Sequence, residues 1–456
     1  MKNRKRWGSL LIGIICLLQI QVLPVQAEEY WPEGPQIAGD SAIIMEASTG
    51  TVLYEKNSHE HCYPASITKI MTSMLAVKNS SLDEEVTFSK DAVYKTEGSG
   101  ISRDIGEVMT MKECLYGLML ESANECGYAI AEHTGGGYDN FVKMMNDEAK
   151  RLGCKDTQFN NPHGLPDENH WTCAYDMALI SREALKNDVF RMIVNTRRYT
   201  IPPTNKHQEE TYLSNHHKMR NNYKGDERYL YEYCIGGKTG FTSVAGSTLV
   251  TFAEKDGMTL ICVVMRETSP NHYLDTRTLF DYCFENFQLW NVAEHEKSFE
   301  QESSENKIFE NEDSFVGLNK EGFVVLPKAA VFEDAKPKIK KSKEAGSVIG
   351  KIVYKYADRQ IGGTDIEITG AKVSEFKFQK QKEDLKEEKV PEKKVVRINV
   401  KYIILGVGVI LLLAAIGIGI YYFVDNFYLI KYKMESRRQR RNSFKEMKVK
   451  RWRRRR

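Results

Sequence analysis

No C-x-x-C pair occurs in this sequence, net charge is almost absent (+3 at pH 7), and apolar residues reach only 41%. An apolar share of that size, with 28% charged residues, excludes wholesale disorder, a collagen-like repeat and a polytopic membrane protein. Of the nine cysteines, Cys16 lies near the start and the other eight fall between positions 62 and 283. An even number outside the cytosol permits disulfides, and buried free thiols fit equally well, so pairing stays open. The small net charge hides an asymmetry. Lys2, Arg4, Lys5 and Arg6 stand at the start without an acid, and residues 431–456 carry fourteen Lys/Arg against Glu435 and Glu446. The bulk between is therefore acidic. That is not the profile of a nucleic-acid-binding domain, and no nucleic-acid partner is expected.

Both ends read as membrane addresses. The basic start precedes an apolar run from Leu10 to Leu18 and the small-residue site Val25-Gln26-Ala27, a secretory signal over residues 1–27. An uncleaved anchor is the alternative. The run from Tyr402 to Val424 (residues 402–424) is uncharged, and at ~1.5 Å per residue it crosses a ~30 Å hydrocarbon core. The basic tail, residues 425–456, then belongs in the cytoplasm. The expected location is a bacterial cell membrane, single-pass, with the main domain outside.

Between the ends, residues 28–290 read as a mixed α/β (α+β) domain. Ser41 to Met45 and Thr51 to Tyr54 form a hairpin, as do Leu249 to Ala253 and Thr259 to Val264 around Asp256-Gly257. Ile67 to Val77 has helical spacing, Thr110-x-x-Glu113 is a capping box, and Gly135-Gly136-Gly137 stops a helix that begins near Glu125. A further helix covers Asp176 to Leu185. The expectation is an antiparallel sheet with helices against it. Residues 291–313 are acidic and read as a hinge. Residues 314–373 read as a small all-β domain with a turn at Ala357 to Gln360, and residues 374–401 as a charged tether.

Three short motifs occur in order: Ser66-Ile67-Thr68-Lys69, Ser122-Ala123-Asn124 and Lys238-Thr239-Gly240. The first two patterns arise roughly once or twice by chance in such a chain. Indeed Ser304…Lys307 and Ser374…Lys377 also match Ser-x-x-Lys, but both lie in charged linker-like segments. Lys-Thr-Gly is rarer, about 0.1 expected, and the ordered trio is the informative signal. Positions i and i+3 share a helix face, so Lys69 reaches the Ser66 hydroxyl. A serine attacks only when a base removes its proton, and a lysine is that base only with its pKa well below ~10.4. Burial or a nearby cation, for which Lys238 is the candidate, lowers it. Ser122 falls between two helices, where it can relay a proton, with Asn124 holding Lys69 and a substrate carbonyl. On an edge strand, Lys238 and the Thr239 hydroxyl suit a carboxylate, and Gly240 permits close backbone approach. His59-Glu60-His61-Cys62 offers four consecutive donors that cannot all point at one ion; it reads as a surface loop, and no metal or cofactor is expected. His216-His217 reads as loop, and Trp171 and Tyr175 as core.

Residues 41–77, 161–180 (NPHGLPDENHWTCAYDMALI) and 236–246 (GGKTGFTSVAG) resemble serine-type D-Ala-D-Ala carboxypeptidases, the low-molecular-weight penicillin-binding proteins. The resemblance covers residues 41–290 closely and 314–373 more loosely. It implies a penicillin-binding transpeptidase/β-lactamase-like fold acting on peptidoglycan stem peptides that end in D-Ala-D-Ala, with β-lactam antibiotics as covalent inhibitors. It further implies Ser66 as nucleophile, Lys69 as proton acceptor, Ser122 as third catalytic residue and Lys238 as carboxylate site. The N–H groups of Ser66 and Phe241 would form the oxyanion hole. Ala123 departs from the glycine common in relatives, and a spanning C-terminal helix departs from their amphipathic one. A D,D-endopeptidase, a β-lactamase using Glu183, and a non-catalytic wall-binding scaffold are the competing readings.

Overall fold

The computed structural model describes residues 30–296, 316–342 and 347–368. The expected signal, tether, spanning segment and basic tail lie outside them, as do both decoy Ser-x-x-Lys matches and most of the expected hinge. Among the described residues no helix is long and apolar enough to cross a membrane.

Five antiparallel strands carry the site: β1 (Ser41–Glu46), β2 (Val52–Lys56), β3 (Cys234–Thr242), β4 (Gly246–Lys255) and β5 (Met258–Glu267), in the order β2-β1-β5-β4-β3. Both expected hairpins are present. The central strands are apolar on both faces because each face has its own core. Successive side chains alternate, so Ile43, Met45, Ile261 and Val263 enter one cluster. Their neighbours Ala42, Ile44, Leu260 and Cys262 enter another. The first cluster takes in α1 (Lys69–Asn79), α2 (Met111–Leu120), α3 (Asn124–Gly135) and α4 (Ala174–Ala184). The second is roofed by α5 (Asn271–Asn286). Thr110 and Glu113 cap α2 reciprocally. Gly136 ends α3 in the left-handed conformation. β3 lies at the sheet edge, as its Lys-Thr-Gly chemistry requires.

A second sheet runs β6 (Phe287–Asn291), β7 (Val316–Leu318), β8 (Phe323–Pro327), β9 (Lys336–Lys341), β10 (Val348–Tyr356) and β11 (Arg359–Ile368), ordered β6-β8-β11-β10-β9, with β7 on β11. Its first strand precedes the acidic stretch, and Val292, the next residue, is fully buried in this sheet's own core. Local acidity at 294–305 masked that apolar approach. The turn before β11 is tighter than the four residues its sequence suggests. Tyr356 pairs with Arg359, leaving Ala357 and Asp358 at φ 48° and 59°. Positive φ at both central residues is what the twist of a two-residue hairpin requires.

All eight cysteines among the described residues are free, seven of them buried.

Candidate active site

Ser66 sits in a single 3-10 turn, Ala65–Thr68, that runs directly into α1. Ala65 adopts φ 51°, and Thr248 Oγ1 donates to the Pro64 carbonyl at 2.8 Å, so strand β4 holds the approach to the nucleophile. Ser66 is half-buried while Lys69, one turn on, is fully buried.

Lys69 Nζ has three neighbours: Ser66 Oγ at 2.9 Å, Asn124 Oδ1 at 2.7 Å and the His163 carbonyl at 2.6 Å. Two of these are pure acceptors. A neutral amine has two N–H groups and one lone pair; donating to Asn124 and His163 leaves the lone pair for the Ser66 O–H. Burial, and next the positive charge of Lys238, hold the Lys69 pKa well below its ordinary value. Geometry and electrostatics therefore agree on a base. The His163 imidazole is itself pushed down to about 3 by burial and by Lys69, so it adds no cation.

Ser122 occupies the break between α2 and α3 at φ 62°. Non-glycine residues held there cost about 1–3 kcal/mol and persist where the surroundings over-determine them. Its Oγ is buried and has no hydrogen-bond partner among the described residues. Asn124 opens α3; its Nδ2 donates to the Glu97 carbonyl at 2.5 Å, which fixes the amide with its oxygen toward Lys69.

Lys238 is 1% exposed and donates to the Thr239 carbonyl at 2.8 Å. Burial lowers its pKa to about 7, opposed by the Glu121 carboxylate. Thr239 is half-buried, Gly240 buried and Phe241 70% exposed. A Cβ on Gly240 would stand 2.8 Å from the Ser66 nitrogen and 2.4 Å from Thr248 Oγ1. Glycine is what lets the edge strand close on the nucleophile's amide.

All three motifs thus meet around one serine. Sequence reasoning missed the supports. The Asn161–Leu165 segment supplies the His163 carbonyl, and Gly164 lies so close that a Cβ would sit 1.9 Å from the Ala65 oxygen. Thr72 Oγ1 donates to the Pro162 carbonyl at 2.6 Å, and Thr68 Oγ1 contacts His170 Nε2 at 2.9 Å. Asn-Pro-His-Gly was visible as part of the family-like stretch, but nothing local tied it to Lys69. His216, read as loop, faces Glu121 Oε2 at 2.7 Å beside Ser122. His217 is buried with Nε2 3.0 Å from Thr251 Oγ1.

The chain is similar in fold and sequence to several known proteins. The Streptomyces K15 DD-transpeptidase crystal structure matches with 30% identity and a TM-score of 0.51, covering 56% of this chain and all of that one. Penicillin binding protein 5 from Haemophilus influenzae matches with 26% identity and a TM-score of 0.58, covering 74% of this chain and 98% of that one. The fold is the mixed α/β fold of penicillin-binding proteins, with antiparallel sheets and helices. A family profile described as D-alanyl-D-alanine carboxypeptidase matches residues 28–269, and the chain belongs to that family. It is 36% identical over 256 residues to D-alanyl-D-alanine carboxypeptidase DacF of Bacillus subtilis, a match covering 54% of this chain and 62% of that protein. To DacA of Haemophilus influenzae it is 29% identical over 355 residues, covering 73% and 85%.

Proposed function

We propose that this protein is a serine D-Ala-D-Ala carboxypeptidase that trims peptidoglycan stem pentapeptides, and that penicillins acylate it at the same serine. The observation that carries the reading is Lys69: fully buried, 2.9 Å from Ser66 Oγ, with two acceptors to occupy its N–H groups.

In this mechanism neutral Lys69 takes the Ser66 proton as Oγ attacks the carbonyl of the penultimate D-alanine. The N–H groups of Ser66 and Phe241 hold the oxyanion; the close fit of Gly240 on the Ser66 nitrogen supports that pairing. As the intermediate collapses, a proton passes through Ser122 to the departing amine, and free D-alanine leaves an ester on Ser66. Water, deprotonated by the regenerated Lys69, attacks the ester, and Lys69 passes that proton to Ser66 Oγ as the acyl–oxygen bond breaks. The substrate's terminal carboxylate lies on Lys238 and Thr239. Lys238 lacks a carboxylate partner within ion-pair distance among the described residues, so it suits an anion that arrives with the ligand. Asn124 acts by holding Lys69.

The β-lactamase alternative loses its proposed base. The Glu183 carboxylate accepts from Arg151 at 2.7 Å and Lys186 at 2.8 Å on the surface. The second sheet is read as a small domain that holds the catalytic domain off the membrane. Residues 402–424 are its anchor, with the catalytic domain outside the cell; the charge pattern of the sequence supports both. Protease protection in intact spheroplasts tests that orientation, and exposure of the basic tail outside would reverse it.

The decisive test measures D-alanine release from a Lys-D-Ala-D-Ala peptide, with intact mass after penicillin treatment. Wild type releases D-alanine and holds a lasting adduct on Ser66, and Ser66→Ala does neither. Release by Ser66→Ala removes the mechanism; rapid penicillin turnover without an adduct makes the protein a β-lactamase.

A further inference from the structure

The His59–Cys62 run does not converge on one point, but half of it converges with residues from elsewhere. The segment turns at Asn57–Glu60, where Glu60 N donates to the Asn57 carbonyl at 3.0 Å, and then makes an isolated antiparallel bridge: Cys62 N donates to the Thr172 carbonyl at 2.7 Å, and Thr172 N to the Cys62 carbonyl at 2.9 Å. Glu60 and Cys62 turn to Arg266, whose Nη1 is 2.8 Å from Glu60 Oε1 and whose Nη2 is 3.4 Å from Cys62 Sγ. His59 and His61 turn the other way, onto one carboxylate. His59 Nδ1 is 3.2 Å from Asp156 Oδ2, and His61 Nε2 is 3.3 Å from Asp156 Oδ1. Cys173 follows Thr172, so in an antiparallel pair it shares the His61 face. One ligand atom each from His59, Asp156 and Cys173 lie within 4.8 Å of one another.

We propose that His59, Asp156 and Cys173 form a binding site for one divalent cation of borderline softness, of the Zn2+ class, with His61, on the other Asp156 oxygen and outside that mutual cluster, able to turn in as a fourth donor. With metal–ligand bonds of about 2.0–2.3 Å, tetrahedral donors stand roughly 3.3–3.8 Å apart. The His59–Asp156 Oδ2 separation, 3.2 Å, is within about 0.1 Å of that spacing, while His61 stands 3.3 Å from the other oxygen, Oδ1. Two imidazoles, a carboxylate and a thiol are the donor types zinc selects. No lysine or arginine among the described residues pairs with Asp156, so the negative charge there meets only two imidazoles.

The supports are built as well. His59 stacks on Tyr175 with ring centroids 4.6 Å apart, and His61 on Trp171 at 5.9 Å. The Asp156 amide donates to Asp176 Oδ2 at 2.7 Å, and Thr157 Oγ1 donates to the same oxygen at 2.8 Å. Such outer contacts orient ligands before the ion arrives. Cys173 is buried at the start of α4 while both histidines are more than half exposed, so the ion enters from solvent past the imidazoles. On binding, the thiol proton leaves to solvent and no redox change occurs. The ion would staple the segment leading to Ser66 onto the Asp156 loop and α4. Its role is structural, and it stands independently of the carboxypeptidase reading.

The test uses the full chain in detergent, stripped with chelator. Equilibrium dialysis against Zn2+ alone should give one ion per chain with a Kd on the order of micromolar or tighter. Co2+ should add a sulfur-to-cobalt charge-transfer band that Cys173→Ser removes. His59→Ala and Asp156→Asn should each weaken Zn2+ binding at least tenfold, and Glu60→Gln, on the opposite face, should not. Fluorescent penicillin labelling reports the fold of every variant; because His59 is exposed, its variant decides the matter if Cys173→Ser fails to fold. A wild-type chain that takes up no stoichiometric Zn2+, or uptake that survives His59→Ala combined with Asp156→Asn, leaves only a hydrogen-bonded His–Asp–His cluster and overturns the proposal.

Discussion

Lys238→Met should make the protein more stable and inactive at once. Lys238 is 1% exposed, with no carboxylate within ion-pair distance among the described residues, and burial brings its pKa from 10.5 to about 7. Each pKa unit is worth about 1.4 kcal/mol, so holding the charged form inside costs the fold up to about 5 kcal/mol. The sign follows from proton counting. Between about pH 7 and 10.5 the unfolded chain keeps a proton that the folded chain has released, so stability rises with pH across that window. Below about pH 7 the full cost is present. Methionine fills similar space without a charge but leaves the Thr239 carbonyl short of one donor, a loss of about 1 kcal/mol. The net gain at pH 6 is then ~2–4 kcal/mol, shrinking by about 3 kcal/mol at pH 9.5. Urea unfolding followed by tryptophan fluorescence at the two pH values measures both, while fluorescent penicillin labelling should fall away. A Lys238→Met protein no more stable than wild type at pH 6, or a difference unchanged by pH, would refute the idea that an uncompensated buried charge is stored for the substrate carboxylate.

Acylation should follow a bell-shaped pH profile. Lys69 must be neutral to accept the proton, so the rate rises with pH through its lowered pKa, and Lys238 must be charged to hold the carboxylate, so the rate falls above about 7. Stopped-flow labelling across pH measures this, and a profile that keeps rising to pH 10 contradicts the Lys238 assignment. Gly164→Ala puts a Cβ 1.9 Å from the Ala65 oxygen at a φ of 90°. It should cost on the order of 2 kcal/mol or more in a thermal melt and slow labelling at least tenfold, because Ala65 carries Ser66. Unchanged labelling would mean the loop does not set the nucleophile's position. Asn124→Ala removes one of the two acceptors that occupy the Lys69 N–H groups. It should lower the acylation rate by ~10- to 100-fold with little change in melting temperature, and an unaltered rate would remove Asn124 from the site.

What the sequence determined by itself was local. Ser66 and Lys69 lie one helical turn apart, Thr110 and Glu113 cap α2, and Asp256-Gly257 turns a hairpin, because spacings of two to four residues are set by the backbone. The trio of motifs in order named the chemistry for the same reason: each is short enough to read alone. Only the tertiary structure decided that the His163 carbonyl and Asn124 occupy the Lys69 N–H groups, that Lys238 is buried, and that Ser122 Oγ lacks a partner. It also separated His59 and His61 from Glu60 and Cys62. Carbonyl acceptors carry no residue-type signature, and the partners that enclose Lys69 come from segments 55 and 94 residues away. The base strength of Lys69 is thus a property of packing rather than of the Ser-x-x-Lys pattern.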